Sequence, residues 1–391
     1  MRRLAWAAVA VALLSSLFVA AGAEARTNAV VVQAGAVHPT NKDAPVEFIR
    51  YYPDVLRVHR GQVVQWKMLG FHTVTFSRTG RTGWFRPDEL PTFDGFPEKT
   101  LFGSGCGQPA NPCVVNSKTT FASSGAPLFD DAPATFKIDL SPGTYKYFCQ
   151  IHGSMNGTIQ VLGRGAPVPA QRQINAQIAS LVRDDAREID ATFKANQKPV
   201  SSVAADGRRE WRVLVGDTAP SGHAQIFAYM PSSLKIGAGD RVRYVMRNGF
   251  VGDPHTVTFP AEAVGDFEPV PHGLIFFSLT PSCDPDSPAS GAPGVVAPWG
   301  FPGPPCPANA EFLWPAYMTG GHPAPGGMVL TPATYHDSGM LVGRRLPKSF
   351  RTLPNGEVLP SSFGASFPNA GEFHFACDIH GQFMGGTVEV G

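Results

Sequence analysis

Two short segments of this 391-residue chain place a cysteine, a histidine and a methionine close together, in the same order. The first has the spacing C-x2-H-x2-M at Cys149, His152 and Met155, and the second has C-x2-H-x3-M and ends at Met384. In both, a strand-like segment leads into the cysteine, so the histidine and methionine fall in the turn that follows. A thiolate, an imidazole and a thioether that converge on one point are ligands suited to a transition metal.

A further histidine lies far upstream of each segment, at the start of the string His-Thr-Val-Thr-Phe over 72–76 and again over 255–259. The two candidate sets are His72, Cys149, His152 and Met155, and His255, Cys377, His380 and Met384. Two imidazoles, one thiolate and a weak axial thioether form the trigonal site that holds blue copper. Zinc explains the sets less well, because structural zinc prefers four Cys/His ligands and catalytic zinc keeps a water position. The sequence therefore predicts two type 1 copper ions, one in each set.

The surroundings of the two sets predict an internal duplication. The segment 143–161 parallels 371–390, and 51–76 parallels 229–259, in the same order along the chain. The stretch between the shared histidine and cysteine is longer in the second copy. Most of the additional residues belong to a loop rich in proline and glycine, which we interpret as a surface insertion.

The composition favours short strands joined by turns. The chain contains 42 glycines and 37 prolines, and long helical periodicity is scarce. The exception runs from Ala170 to Lys198, where apolar residues recur at near-helical spacing before Pro199. We expect an all-β protein of two sandwiches joined by a helical linker, with the domains at 26–163 and 208–391 and the linker at 164–207.

The first 25 residues are typical of an export signal. Two arginines precede an apolar run over 4–20, and alternating alanines over 21–25 offer cleavage points. The alternative is an uncleaved membrane anchor, but the run is short for a span of about 20 residues. We expect a signal peptide over 1–25, a periplasmic or extracellular mature protein, and no membrane span after cleavage.

Export changes the interpretation of the six cysteines, since thiols in an oxidising compartment tend to pair. Cys106 and Cys113 bracket one loop, and Cys283 and Cys306 bracket another, so both pairs are candidate disulfides. The two remaining cysteines are those of the metal sets. The formal net charge of +1 gives no reason to expect a nucleic-acid partner.

At the candidate ligands the chain resembles the cupredoxins, the family of plastocyanin, pseudoazurin and amicyanin. The resemblance implies Greek-key β-sandwiches, mononuclear type 1 copper, one-electron transfer and a redox protein partner. It implies that His72 and His255 are strand-borne ligands and that Met155 and Met384 are axial. The remaining histidines, His152 and His380, would be loop ligands with a ring edge toward solvent.

Multicopper oxidases and copper nitrite reductases also contain cupredoxin domains, and they carry a histidine next to the copper cysteine. Here Phe148 and Gln150 flank Cys149, Ala376 and Asp378 flank Cys377, and no H-x-H pair occurs in the sequence. We therefore expect an electron carrier without catalytic residues rather than an enzyme. A copper-binding or copper-delivery protein is the alternative.

Overall fold

The computed structural model describes residues 29–42, 44–76, 106–125, 133–150, 152, 154–247, 254–261, 328–329, 336–344, 348–351, 358–377 and 379–391. The predicted signal peptide lies outside these residues, and so do Cys283 and Cys306.

Eleven strands of the described residues precede the long helix. They are β1 (Val30–Gly35), β2 (Val46–Phe48), β3 (Tyr51–Tyr52), β4 (Val55–His59), β5 (Val63–Leu69), β6 (Thr75–Phe76), β7 (Cys113–Val115), β8 (Ala122–Ser123), β9 (Ala134–Ile138), β10 (Gly143–Phe148) and β11 (Asn156–Leu162). Strand β5 shows why these segments are extended: Val64, Trp66 and Met68 are buried, and the residues between them are more exposed. This period of two lets one face of the strand enter the core.

Eleven more strands of the described residues follow the helix, together with a four-residue helix at Lys348–Arg351. The strands are β12 (Val200–Val203), β13 (Arg209–Thr218), β14 (Ala224–Met230), β15 (Ser233–Ile236), β16 (Arg241–Val245), β17 (Thr258–Phe259), β18 (Met328–Val329), β19 (His336–Asp337), β20 (Ser362–Ser366), β21 (Gly371–Cys377) and β22 (Gly381–Val390).

The first group of strands builds two sheets with the orders β3-β1-β5-β9-β7 and β4-β11-β10-β6-β8. Aromatic side chains fill the space between them. The Trp66 ring on β5 lies 5.3 Å from the Tyr147 ring on β10 and 6.5 Å from the Phe76 ring on β6. Because these rings come from opposite sheets, they hold β6 and β10 against the core.

The second group builds the sheets β18-β20-β16-β13-β14-β2, with β12 beside β13, and β15-β22-β21-β17-β19. Here Phe375 on β21 packs against Tyr244 on β16 at 5.2 Å and against Tyr229 on β14 at 4.7 Å between ring centroids. The sheets are mixed, since β13 runs parallel to β16 and antiparallel to β14.

The long helix, Gln171–Asn196, buries one stripe that includes Ile174, Ile178, Val182 and Ile189, as expected for an amphipathic helix against a core. The stripe packs on β1 and β3 of the first group and on β13 and β14 of the second. No helix in the described part of the chain is both long and apolar enough to cross a membrane.

Asp185, on the buried side of this helix, joins both groups of strands. Its carboxylate accepts hydrogen bonds from the Tyr52 hydroxyl at 2.7 Å and from Arg50 Nη1 at 3.2 Å, and it lies 3.2 Å from His223 Nδ1. Burial raises the pKa of Asp185, but the hydrogen bonds from His223 and Tyr52 and the charge of Arg50 outweigh burial and lower the pKa. The ionised Asp185 carboxylate thus links the helix to strands of both groups.

The expected fold class, all-β with two Greek-key sandwiches joined by a helical linker, is wrong. The described residues form four sheets and one long helix, and that helix packs on strands of both groups instead of spanning a gap. Strand β2 leaves the first group and pairs with β14, and one core cluster runs through β1, the helix and Ile226. Local strand patterns could not reveal these contacts, because the paired residues are far apart in the sequence.

Asp185→Asn should lower the free energy of unfolding by about 1–3 kcal/mol, because it leaves the partly buried Arg50 and the buried Tyr52 with a neutral partner. Asp184→Asn, which changes an exposed carboxylate paired with Arg187, is the matched control and should change little. Since the folded-state pKa of Asp185 is lowered, its stabilising effect is present above its ordinary pKa of 3.8 and fades as the pH falls below it. Denaturant unfolding of the three proteins at pH 7 and pH 3 measures both effects. Equal stability of Asp185→Asn and wild type at pH 7 would show that the Asp185 carboxylate does not stabilise the fold.

Candidate metal centre

Strand pairing brings the residues of the first set together. His72 lies between β5 and β6, three residues before Thr75, and Cys149 directly follows β10. Thr75 pairs with Phe148 across β6 and β10, which places the cysteine beside the histidine segment. The backbone N–H of Thr73 donates a hydrogen bond to Cys149 Sγ at 3.3 Å. This bond fixes the position of the sulfur relative to the histidine segment.

In the first set the three donor atoms form a compact triangle. The Nδ1 atoms of His72 and His152 are 3.1 Å apart, and Cys149 Sγ lies 3.7 Å from His152 Nδ1. The ligand atoms lie within 4.8 Å of one another, and all three residues are buried.

The second set is assembled in the same register. Thr258 on β17 pairs with Ala376 on β21, so His255 again lies three residues before the paired threonine and Cys377 one residue after its partner. The N–H of Thr256 donates to Cys377 Sγ at 3.3 Å.

The triangle of the second set has nearly the same dimensions. The Nδ1 atoms of His255 and His380 are 3.0 Å apart, and Cys377 Sγ lies 4.0 Å from the former and 3.3 Å from the latter. These three residues are also buried, with their ligand atoms within 4.8 Å of one another.

Each triangle has dimensions that suit one metal ion. Metal–nitrogen and metal–sulfur bonds of about 2.0–2.1 and 2.3 Å place three such donors about 3–4 Å apart. In the two sets the Nδ1 atoms are 3.1 and 3.0 Å apart, and the sulfur lies 3.7 Å from His152 Nδ1 in the first and 3.3 Å from His380 Nδ1 in the second. Each of the two sets could therefore hold a metal ion.

The two methionines lie beside the triangles. Met155 and Met384 are 1% and 0% exposed, and Met155 is tied to its set by backbone hydrogen bonds: its N–H donates to the His152 carbonyl and its carbonyl accepts from the Cys149 N–H, both at 2.9 Å. Met384 lies on β22, which pairs with β21. Their role as axial ligands stays a prediction.

Two of the candidate ligands, Cys149 and His380, have strongly shifted pKa values. Burial raises the pKa of Cys149, but hydrogen bonds and charge from His152 and His72 outweigh it and lower the pKa from 9.0 to about 5. Burial lowers the pKa of His380 from 6.5 to about 3, while the charge of Glu47 acts in the opposite direction. A thiolate and neutral imidazoles are the forms that bind metal ions.

The expectation that His152 and His380 present a ring edge to solvent is wrong. The two residues are 2% and 3% exposed. The ring of Phe227 covers the second set, with its centroid 4.6 Å from that of His380 and 5.9 Å from that of His255. On the first set the covering residue is Glu47.

Glu47 on β2 contacts both histidines of the first set on the side away from the sulfur. Its carboxylate oxygens lie 3.6 Å from His72 Nε2 and 3.4 Å from His152 Nε2, and they accept hydrogen bonds from the Phe71 N–H and Gln225 Nε2. Burial raises the pKa of Glu47, but the charges of His152 and His72 outweigh it and lower the pKa to about 2. A carboxylate there favours the proton on Nε2 and leaves both Nδ1 atoms for a metal.

Glycines make room for the strand-borne histidines. A Cβ added at Gly35 would lie 2.5 Å from His72 Nε2, and one added at Gly216 would lie 2.4 Å from His255 Nε2. Both glycines also have positive φ values, +77° and +63°, a conformation that other residues rarely adopt.

Sequence reasoning missed the residues that surround the ligands. Glu47, Phe227 and the two glycines belong to strands that reach the sites only through pairing with distant segments. A Val-x-x-Gly string over 32–35 and again over 213–216 was the available signal for the glycines, but it is too short to stand out.

A disulfide joins Cys106 to Cys113, and Cys113 begins β7. The bond closes a loop at the edge of the sheet in which β7 is the last strand. The predicted pair Cys283 and Cys306 lies outside the described residues.

No family model matches this chain, and no curated protein matches it. Among solved structures, an amicyanin mutant in its Cu(I) form is 14% identical over 50% of this chain and 93% of its own, with a TM-score of 0.19. Amicyanin from Paracoccus versutus is 18% identical over 36% and 87%, with a TM-score of 0.19. The oxidised plastocyanin from Dryopteris crassirhizoma is 16% identical over 46% and 99%, with a TM-score of 0.18.

These structural neighbours are cupredoxins, the family that the ligand residues resemble.

Gly216→Ala should displace His255 and weaken metal binding at the second set at least tenfold, while the first set keeps its affinity. Gly239→Ala is the matched control, because Gly239 also has a positive φ of +89° but nothing lies within 4 Å of an added Cβ. Cobalt(II) titration in the Cys149→Ser background, followed by visible absorption, reports on the second set alone. Equal affinity in the two variants would contradict the packing role of Gly216.

Proposed function

We propose that this chain is an exported copper-binding protein with two type 1 copper sites and that it acts in one-electron transfer. The observation that carries the proposal is the pair of buried His-Cys-His groups built in the same register. Each group would hold one copper ion, with His72, Cys149 and His152 as ligands of the first site and His255, Cys377 and His380 as ligands of the second.

Copper fits these donors better than zinc does. A thiolate, two imidazoles and a weak axial thioether make up the trigonal set of blue copper sites. Met155 and Met384 are buried, and we propose them as the axial ligands. Structural zinc takes four strong ligands and catalytic zinc keeps an open position for water, whereas each triangle here offers three strong donors in an enclosed space.

The bound ions would supply a one-electron couple, and the chain's own residues would keep their surroundings fixed. Thr73 and Thr256 donate backbone N–H groups to the two sulfurs, and hydrogen bonds to the cysteine sulfur tune the potential of such sites. Burial of all six ligands excludes water and restrains their movement when the charge of the site changes.

Electron transfer is favoured over catalysis by the burial of the ligands, since all six are at most 3% exposed. The described residues contain two groups of three or more histidine, cysteine or acidic side chains arranged for a metal ion, and no third group that could form a catalytic copper centre. The residues that flank Cys149 and Cys377 include no histidine. We infer that the chain is a carrier with a redox protein partner.

Copper delivery is the second candidate, and burial argues against it. A delivery protein must hand its ion to a partner's ligands, so its own ligands need an accessible side. Here His152 and His380 are covered by Glu47 and Phe227. The periplasmic or extracellular location is proposed from the N-terminal residues, and the disulfide between Cys106 and Cys113 fits an oxidising compartment.

The mature protein loaded with copper should bind about two ions per chain and be intensely coloured by thiolate-to-copper charge transfer. Cys149→Ser and Cys377→Ser should each remove about one ion and about half of the colour, and the double variant should be colourless. Metal analysis, visible absorption and electron paramagnetic resonance of the four proteins measure this.

Cys106→Ser combined with Cys113→Ser is the control, since these cysteines pair with each other and should leave the colour unchanged. Colourless wild-type protein after loading, or strong binding of zinc with exclusion of copper, would overturn the proposed function. Rapid transfer of copper to a chelator would favour delivery over electron transfer.

A further inference from the structure

Strands β2 and β14 lie between the two metal sets. They pair antiparallel, with Glu47 opposite Gln225 and Val46 opposite Ile226, and the N–H of Phe227 donates to the Pro45 carbonyl at 2.8 Å. The separation of 178 residues between Glu47 and Gln225 is also that between Tyr51 and Tyr229 in the matching segments. The chain therefore pairs two equivalent positions with each other.

Each of these strands reaches one metal set. Glu47 contacts His72 and His152 through its carboxylate, and Phe227 contacts His380 through its ring. Gln225 Nε2 donates to Glu47 Oε2 at 2.7 Å, and Phe227 is only two residues beyond it, or about 7 Å along a strand. A short run of buried contacts thus connects the histidines of the two sets.

Glu47 and Gln225 occupy equivalent positions but differ in charge, because the first has a carboxylate and the second an amide. Glu47 is 4% exposed and Gln225 is 2% exposed, so the negative charge of Glu47 is poorly screened by water. In such surroundings a charge acts on its neighbours much more strongly than at a surface. Its nearest neighbours are the imidazoles of the first set.

We propose that Glu47 sets the order of the two copper potentials and makes the first site the internal electron donor to the second. This inference rests on the proposed function. The carboxylate stabilises the oxidised, more positive state of the first site directly, and it acts on the second site from farther away. The first site therefore has the lower potential.

The internal step is balanced. One electron leaves Cu(I) at the first site and reduces Cu(II) at the second, so that one ion is oxidised and the other reduced. No covalent bond is made or broken and no proton moves. His152 contacts Glu47 on β2, and His380 contacts Phe227 on β14. The two loop histidines therefore contact the same pair of strands.

The decisive experiment measures the two potentials separately. Cys377→Ser protein retains only the first site and Cys149→Ser protein only the second, and spectroelectrochemical titration of each gives one potential. We expect the first site to have the lower value. Glu47→Gln, introduced into each background, should raise the Cu(I)/Cu(II) ratio of the first site at a fixed solution potential at least tenfold, which is about 59 mV for one electron. The second site should shift less.

Two further variants separate charge from packing. Glu47→Asp keeps the charge and should preserve the order of the potentials even where it weakens packing. Glu372→Gln removes an exposed carboxylate on β21, the strand that carries Cys377, and should move neither potential. Thermal unfolding of every variant confirms that the protein is folded.

The outcomes distinguish this inference from the proposed function. A first-site potential equal to or higher than that of the second overturns the inference, as does a Glu47→Gln variant that leaves the first site unchanged or moves both sites equally. In those cases the copper sites and the carrier role stand. Wild-type protein that binds no copper overturns the proposed function itself. If Glu47→Gln fails to fold, a first-site potential that is not the lower of the two still overturns the inference.

Discussion

The two His-Cys-His groups depend on one backbone constraint, the antiparallel pairing of a two-residue strand with the strand that leads into the cysteine. In the first set the pair is Thr75 with Phe148, and in the second it is Thr258 with Ala376. This pairing fixes how far the histidine before the short strand lies from the sulfur, and it aims a threonine N–H at that sulfur. Shifting either pair by one residue would turn the cysteine to the other face of its sheet.

The cores on which these short strands rest explain why the pairing holds. A strand of two residues cannot be stable alone, and here aromatic rings on both sides fix it: Phe76 packs on Trp66 and Tyr147, and Phe259 packs on Tyr244 and Phe375. The two His-Cys-His groups are therefore brought together largely by the apolar packing of the sheets. We expect the ligands to be close together before a metal binds, because the restraints come from the chain.

Local sequence carried much of the information about the site but less about the fold. The spacing around Cys149 and Cys377 predicted that each cysteine meets the histidine of the next turn, because the two are close by connectivity. His72 and His255 were found only through the repeated string His-Thr-Val-Thr-Phe. The four-sheet arrangement was not predictable in this way. Strand β2 pairs with β14 about 180 residues away, and no property of Val46–Phe48 alone reveals that partner. For the same reason Glu47 was overlooked and the loop histidines were wrongly expected at the surface.

The most direct test of the account is X-ray absorption spectroscopy at the copper edge on wild-type protein and on the Cys149→Ser and Cys377→Ser variants. The account predicts one short copper–sulfur bond and two copper–imidazole bonds per ion in wild type, and the same set for the single ion left in each variant. Copper bound without a short sulfur bond, or with oxygen ligands in place of imidazoles, would contradict the claim that the two buried triangles are copper sites.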